Sequence, residues 1–262
     1  MQVRWWAAGS AAAIMVVAVA STVAFSRESA APVAGVRVVA AYPHDPKAFS
    51  QGLVVVEGQM YEGTGQYGKS SLRKVELASG RVEQIIPLSR QYFGEGITIL
   101  GDKLYQLTWK ERLGIVYDVA SLKPIGSFRY SGEGWGLTND GDELILSDGS
   151  ATLRFLNTTT FEVTRRIEVR SGRSRVDKLN ELEFVNDEIW ANIWYADRIA
   201  RISPKTGEVL GWIDAGALYP ANQRPSREHV MNGIAYDASS QRLFLTGKNW
   251  PRLFEVEVIL AR

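Results

Sequence analysis

The chain has 262 residues, 45% hydrophobic and 23% charged, a balance that suits a globular protein with a sizeable core and argues against disorder. Lys and Arg number 30 against 29 Asp and Glu, so no net field exists that would hold nucleic acid or an anionic membrane. The lack of cysteine excludes disulfides, thiolate catalysis, iron–sulfur clusters and cysteine-ligated zinc; the two histidines, His44 and His229, lie far apart, disfavour a histidine-rich metal site and read as loop or surface imidazoles.

Arg4 precedes Trp5-Trp6 and an uncharged run over residues 7–25, closed by Ser26-Arg27-Glu28. Residues 1–26 therefore read as an export signal or a single N-terminal anchor, and either places the folded part outside the cytoplasm, periplasmic or secreted. Residues 27–35 read as a linker, and residues 36–262 as one folded domain that is not embedded in a membrane. From residue 36 onward, short β-branched and aromatic runs alternate with Gly, Asp, Asn and Ser-Gly turns every 8 to 12 residues, an all-β pattern.

Residues 36–41 form the first predicted strand. Next comes a head, Gln51-Gly52, with strands over 53–56, 60–64, 71–76 and 81–87 behind it. Equivalent heads open later apolar strands at Glu95-Gly96, Trp135-Gly136, Asn180-Glu181 and Asn232-Gly233, spaced by 44, 40, 45 and 52 residues, the period of four-stranded propeller blades. The fourth repeat again reads as four strands, over 182–185, 188–194, 199–203 and 208–213, and the basic run before it, residues 170–178, reads as a solvated loop face. The last spacing is long because residues 218–227, which include Pro220 and Pro225, form an inserted loop. The fifth repeat stops after its third strand, 252–259, and its missing outer strand is expected from residues 36–41. The fold expected is a five-bladed β-propeller closed by pairing of the two chain ends.

A second series falls at the end of each second strand: Gly65, Trp109, Asp148, Trp194 and Lys248. A ring brings both series to one mouth, where carboxylates, amides, a cation and indoles suit a small polar substrate with an aliphatic stem. Glu95 stands out, because Phe93-Gly94-Glu95-Gly96 sets a carboxylate between two glycines and beside an aromatic ring. Plainer readings exist for the others. Asp148 in Ser147-Asp148-Gly149-Ser150 reads first as a turn residue, Lys248 also reads as a solvated lysine, and any single Trp also reads as a wedge between blades.

The strings 43–53, 61–71 and 92–96, together with Leu107-Thr108-Trp109-Lys110, Gly134-Trp135-Gly136-Leu137, Leu179-Asn180-Glu181-Leu182-Glu183, Trp190-Ala191-Asn192-Ile193-Trp194 and Asn232-Gly233-Ile234-Ala235, resemble the plant and bacterial glutaminyl cyclases. The resemblance runs from about residue 36 to the C-terminus. It implies a five-bladed propeller that cyclises the N-terminal glutamine of peptides and proteins to pyroglutamate with release of ammonia, unrelated to the animal zinc enzymes of that activity. By motif, it puts the catalytic glutamate on Glu95, the pocket aromatics on Phe49, Phe93, Trp109, Trp135 and Trp194, and the polar binders on Gln51, Asn180 and Lys248, of which Asn180 and Lys248 join Glu95 in the expected catalytic set. The plant members hold a structural calcium on the channel axis, whereas this sequence shows no dense carboxylate cluster, and no cofactor or metal is expected in catalysis.

In the mechanism so implied, Glu95 takes a proton from the attacking α-amine and gives it to the departing nitrogen, while Gln51, Asn180 or Lys248 donates to the tetrahedral oxygen. Burial would raise the pKa of Glu95 and Lys248 would lower it, with the balance open. A monomer is expected. Two rival readings stand beside this one: a non-enzymatic periplasmic propeller that binds a peptide or glycan at its mouth, and a metal-dependent lactonase-like hydrolase, which Glu95 as sole charged head disfavours.

Overall fold

The computed structural model describes residues 1–2 and 31–260, so the expected export signal or anchor lies almost wholly outside the described residues. Among these, no helix is long and apolar enough to cross a membrane. Strand β1 (Val33–Pro43) begins three residues ahead of the predicted start at residue 36, within what reads as linker. Three four-stranded antiparallel meanders follow: β2 to β5 (Ser50–Val56, Gln59–Thr64, Ser71–Glu76, Val82–Pro87), β6 to β9 (Gly94–Leu100, Lys103–Thr108, Leu113–Asp118, Pro124–Arg129) and β10 to β13 (Leu137–Asn139, Glu143–Leu146, Thr152–Asn157, Val163–Glu168). The basic run forms a small hairpin, β14 (Arg170–Ser171) and β15 (Ser174–Arg175), whose Arg170 and Arg175 both pair with Glu168 on an exposed face.

The remaining strands, β16 to β19 (Leu179–Val185, Glu188–Ile193, Arg198–Ile202, Val209–Asp214) and β20 to β22 (Met231–Asp237, Arg242–Gly247, Arg252–Leu260), join one eight-stranded sheet with β1 at its centre. β1 runs antiparallel along β22 from the Ala34–Leu260 pair to the Pro43–Arg252 pair, which makes it the outer strand missing from the last meander. It also does what the repeat pattern did not foretell: Val33 and Ala34 pair in parallel with Trp212 and Ile213 of β19, so one strand ties the last two meanders together. Residues 218–227 form the expected loop, with a single 3₁₀ turn at Ala221–Gln223.

The innermost strands are buried on both faces, so their apolar residues run on behind the polar heads instead of alternating with exposed ones. Leu53 and Val55 pack with Phe244 and Leu253 of the last meander, whereas Val54 points the other way, toward Ile97 and Leu104 of the second. Alternating residues thus serve two different cores, and each meander buries the face that its neighbour cannot. The sharp β2–β3 turn needs left-handed backbone at Glu57 (φ 51°) and Gly58 (φ 77°), which glycine adopts without steric cost.

The innermost strands meet in a closed circuit. The N–H of Gly96 on β6 donates to the Trp135 carbonyl at 2.7 Å. A Cβ on Gly136 would lie 2.0 Å from the Asn180 carbonyl, so only glycine lets the segment before β10 approach β16. Ile234 of β20 donates its N–H to Glu181 at 2.8 Å, and the Asn232 amide returns to the Ser50 carbonyl on β2 at 3.0 Å. This is a propeller-like, all-β fold in which β2, β6, β10, β16 and β20 surround the centre.

His44 departs from the expected surface imidazole. It is buried, with Nδ1 against the Trp250 carbonyl at 2.6 Å and Nε2 against Glu62 Oε1 at 2.9 Å, and so ties the segment after β1 to both ends of the ring. Burial alone would lower the His44 pKa, but the adjoining Glu62 carboxylate holds it above the ordinary value; burial would raise that of Glu62, which His44 instead holds below the usual range. His229 is a loop imidazole, paired with Ser226 at 2.9 Å.

Candidate active site

Four of the five heads sit in β-bulges. Gly94 pairs with Thr108 and Ile97 with Gln106, so Glu95 and Gly96 together oppose Leu107 alone. The same extra residue appears at Gln51, at Asn180-Glu181 and at Asn232-Gly233. A bulge twists the strand locally and re-aims a side chain out of the regular in-and-out alternation. Trp135 lies just before β10, and its backbone pairs with Ser147 at 3.0 Å.

The bulged heads and the second-strand ends open onto one cavity of about 250 Å³. One side is aromatic: Phe49 and Phe93 meet edge to face at 6.2 Å between centroids, Phe93 and Trp109 at 5.5 Å, and Trp135 and Trp194 at 5.3 Å. Gln51, Glu95, Asn180 and Lys248 supply the polar lining. All nine sequence-derived site residues therefore come together. Lys248 is buried, not solvated, with its ammonium 4.8 Å from the Phe49 ring centre. Asp148 does not line the cavity; it caps its own turn through the Ser150 N–H at 3.1 Å and pairs with Arg154 at 3.3 Å. Asn232 stands one step behind, donating to Gln51 Oε1 at 3.3 Å. That contact leaves the amide nitrogen of Gln51 to face the Glu95 carboxyl, whose pKa it helps to lower.

The Glu95 carboxyl is 4% exposed, and burial pushes its pKa well above the usual carboxylate range. Lys248 and the Gln51 amide pull the other way without prevailing, while Glu133 and Glu111 add repulsion. Burial also lowers Lys248 to about 8 against the opposing pull of Glu95 and Glu228. An acid raised and an ammonium lowered thus share one small cavity, the arrangement expected where protons are exchanged near neutrality.

Three carboxylates near the site carry no repeat signal. Glu228, just past the inserted loop, lines the mouth and accepts from Tyr195 Oη at 2.7 Å. Glu111 accepts from Tyr67 Oη at 3.0 Å, and Glu133 accepts from two indoles. Each occupies a loop of individual length, where a 40-residue period has nothing to say. Glu181 is buried at the ring centre, where it accepts the N–H groups of Leu53 at 3.4 Å and Ile234 at 2.8 Å. Among the described residues no group of three or more His, Asp or Glu side chains is arranged to hold a metal ion. A carboxylate turned to two backbone donors does not fit the six to eight oxygens that calcium takes.

Residues 10–258 match the family model described as glutamine cyclotransferase. A glutaminyl-peptide cyclotransferase of Arabidopsis thaliana is 45% identical over 227 residues, covering 85% of this chain and 71% of that protein. The crystal structure of Myxococcus xanthus glutaminyl cyclase superposes with a TM-score of 0.84 at 38% identity, over 88% of this chain and all of that one. With a matched model across nearly the whole chain and a relative at this identity, the protein belongs to the glutamine cyclotransferase family of enzymes.

Proposed function

We propose that this enzyme closes the N-terminal glutamine of peptides and proteins into pyroglutamate, with Glu95 as the single proton relay, on a propeller of five blades. The observation that carries the relay is one deeply buried carboxyl, raised in pKa, in a cavity otherwise walled by phenyl and indole rings, amides and one lysine, with the exposed Glu228 as the other carboxylate at its mouth. The blade count rests on four meanders of four strands plus β20–β22 completed by β1.

The substrate α-nitrogen attacks its own γ-carboxamide carbon; a C–N bond forms, the bond to the side-chain nitrogen breaks, and the proton lost by the first nitrogen leaves with the second as ammonia. Nucleophile and electrophile share one residue, so the walls need only hold the curled conformer, for which effective molarities of about 10⁵–10⁸ M bound the gain. The α-amine has a reference pKa of about 7.7–8.0. Neutral amine with protonated Glu95 therefore carries the same number of protons as ammonium with carboxylate. Raising Glu95 toward the amine brings these two states close in free energy, which suits a group that must both accept and return a proton. Asn180 and Lys248 donate to the oxygen of the tetrahedral intermediate, and Gln51, aligned by Asn232, orients the Glu95 carboxyl.

The test is ammonia release, with the matching mass loss, from a Gln-initiated peptide incubated with purified protein. Turnover is expected with and without EDTA. Binding of the peptide without turnover would favour the non-enzymatic reading, and loss of turnover in EDTA restored by a divalent ion would overturn the metal-independent relay.

A further inference from the structure

Trp109 and Trp135 come from different meanders, yet their indole N–H groups converge on one atom. Glu133 Oε2 accepts Trp109 Nε1–H at 2.6 Å and Trp135 Nε1–H at 2.9 Å. Both rings line the cavity, whereas Glu133 itself lies outside the lining, in the loop between β9 and β10. That loop is held from behind. Buried Arg154 donates Nη2–H to the Glu133 carbonyl at 2.7 Å and Nη1–H to the Ser131 carbonyl, and is anchored in turn by Asp148. The Gly134 N–H returns to the Trp109 carbonyl at 3.0 Å.

An indole has a single polar group, so a ring whose N–H is tied at one end can pivot only about that tie. Two rings tied to one oxygen have their mutual angle set, and a charged acceptor makes each tie stronger than a neutral one would. We propose that Glu133 is a positioning residue for the cyclisation: by taking both indole N–H groups on one carboxylate oxygen it sets the angle between two cavity walls that hold the substrate side chain curled. The inference rests on the cavity being the cyclisation site. A second consequence follows from its charge, since Glu133 is among the groups that push the Glu95 pKa upward.

The test compares Glu133→Ala, Glu133→Gln and, as a control on the site itself, Glu95→Gln, by kcat, KM, the pH profile of kcat/KM and thermal melts on a Gln-initiated peptide. Glu133→Ala is expected to lose about a hundredfold in kcat/KM, mostly in kcat, as a wall displaced by about 1 Å would. Glu133→Gln keeps an oxygen for the indoles and is expected to regain most of that loss while the limb of the pH profile set by Glu95 moves to lower pH. Wild-type kinetics in Glu133→Ala, or a Glu133→Gln profile that does not move, would overturn the role; so would equal impairment of both variants with a lowered melt and unshifted profile. If Glu133→Ala does not fold, the Glu133→Gln profile decides. An active Glu95→Gln would instead refute the relay assignment and leave the indole geometry to be judged by the Glu133→Ala kcat and KM.

Discussion

Glu95 is exposed to so little water that its charged form is costly, and the lysine sharing its cavity is itself too desolvated to compensate fully. Replacing it by glutamine keeps the volume and the partner for Gln51 but removes the exchangeable proton. Glu95→Gln is expected to retain the wild-type melt while kcat falls by about 10²–10⁴, the usual worth of general acid–base catalysis; near-wild-type turnover would exclude the relay. Glu95 was legible in the sequence because it broke a repeat: a lone carboxylate at a position held elsewhere by Gln, Trp and Asn. Glu133, Glu111 and Glu228 were not legible, since each reaches the site from a loop and has a side-chain partner 24, 44 or 33 residues away, respectively. Asn232 was visible as a head, but its task of aligning Gln51 depends on a contact of 3.3 Å between the last and first meanders.

At the scale of elements, β1 closes the ring with more hydrogen bonding than a repeat pattern implies. It covers the whole edge of β22, reaches β19, and contributes Tyr42, whose hydroxyl donates to Glu255 at 2.7 Å and accepts from Arg242 at 2.7 Å. Removing residues 33–43 would leave β22 as an unpaired edge and uncover part of the apolar cluster around Ile213 and Val256. The truncated chain is expected to lose its cooperative melt by circular dichroism; an unchanged transition would show that closure does not need this strand. The pairing of β1 with β22 followed from counting strands in the last repeat. Its parallel step onto β19 did not, because two paired residues leave no periodic trace. The bulges were equally silent. What the sequence displayed was their consequence, a polar head followed by Gly or Glu, and only the register shows that the head is the extra residue.

For the whole molecule, the charges enclosed by the ring set how stability responds to pH. Burial raises Glu95 and Glu181 well above their usual values and Glu183 to about 8, with Glu183 accepting from the Tyr236 N–H at 2.7 Å. Between the ordinary carboxylate value of about 4.3 and these raised ones the native state binds more protons than the unfolded chain, so stability falls as pH rises through that window. Lys248 acts oppositely above about 8, where the unfolded chain still holds a proton that the native state has released. The melting temperature is therefore expected to decline from pH 5 to pH 8, and Glu183→Gln, which keeps an acceptor for Tyr236, is expected to flatten that decline and melt higher at pH 8. Identical slopes for the two proteins would show that Glu183 is not held protonated.

The sequence by itself determined the repeat, the all-β class and the order of strands, and it named nine of the ten side chains that line the cavity: seven because a period near 40 residues places equivalent positions around one centre, and Phe49 and Phe93 through the family resemblance. Only the tertiary structure decided that burial outweighs Lys248 at Glu95, that His44 is enclosed beside Glu62, and that one oxygen of Glu133 joins two indoles. The division has a physical cause. Strand periodicity is local and repeats along the chain, whereas desolvation and hydrogen-bond partnership depend on what distant segments bring within a few ångströms.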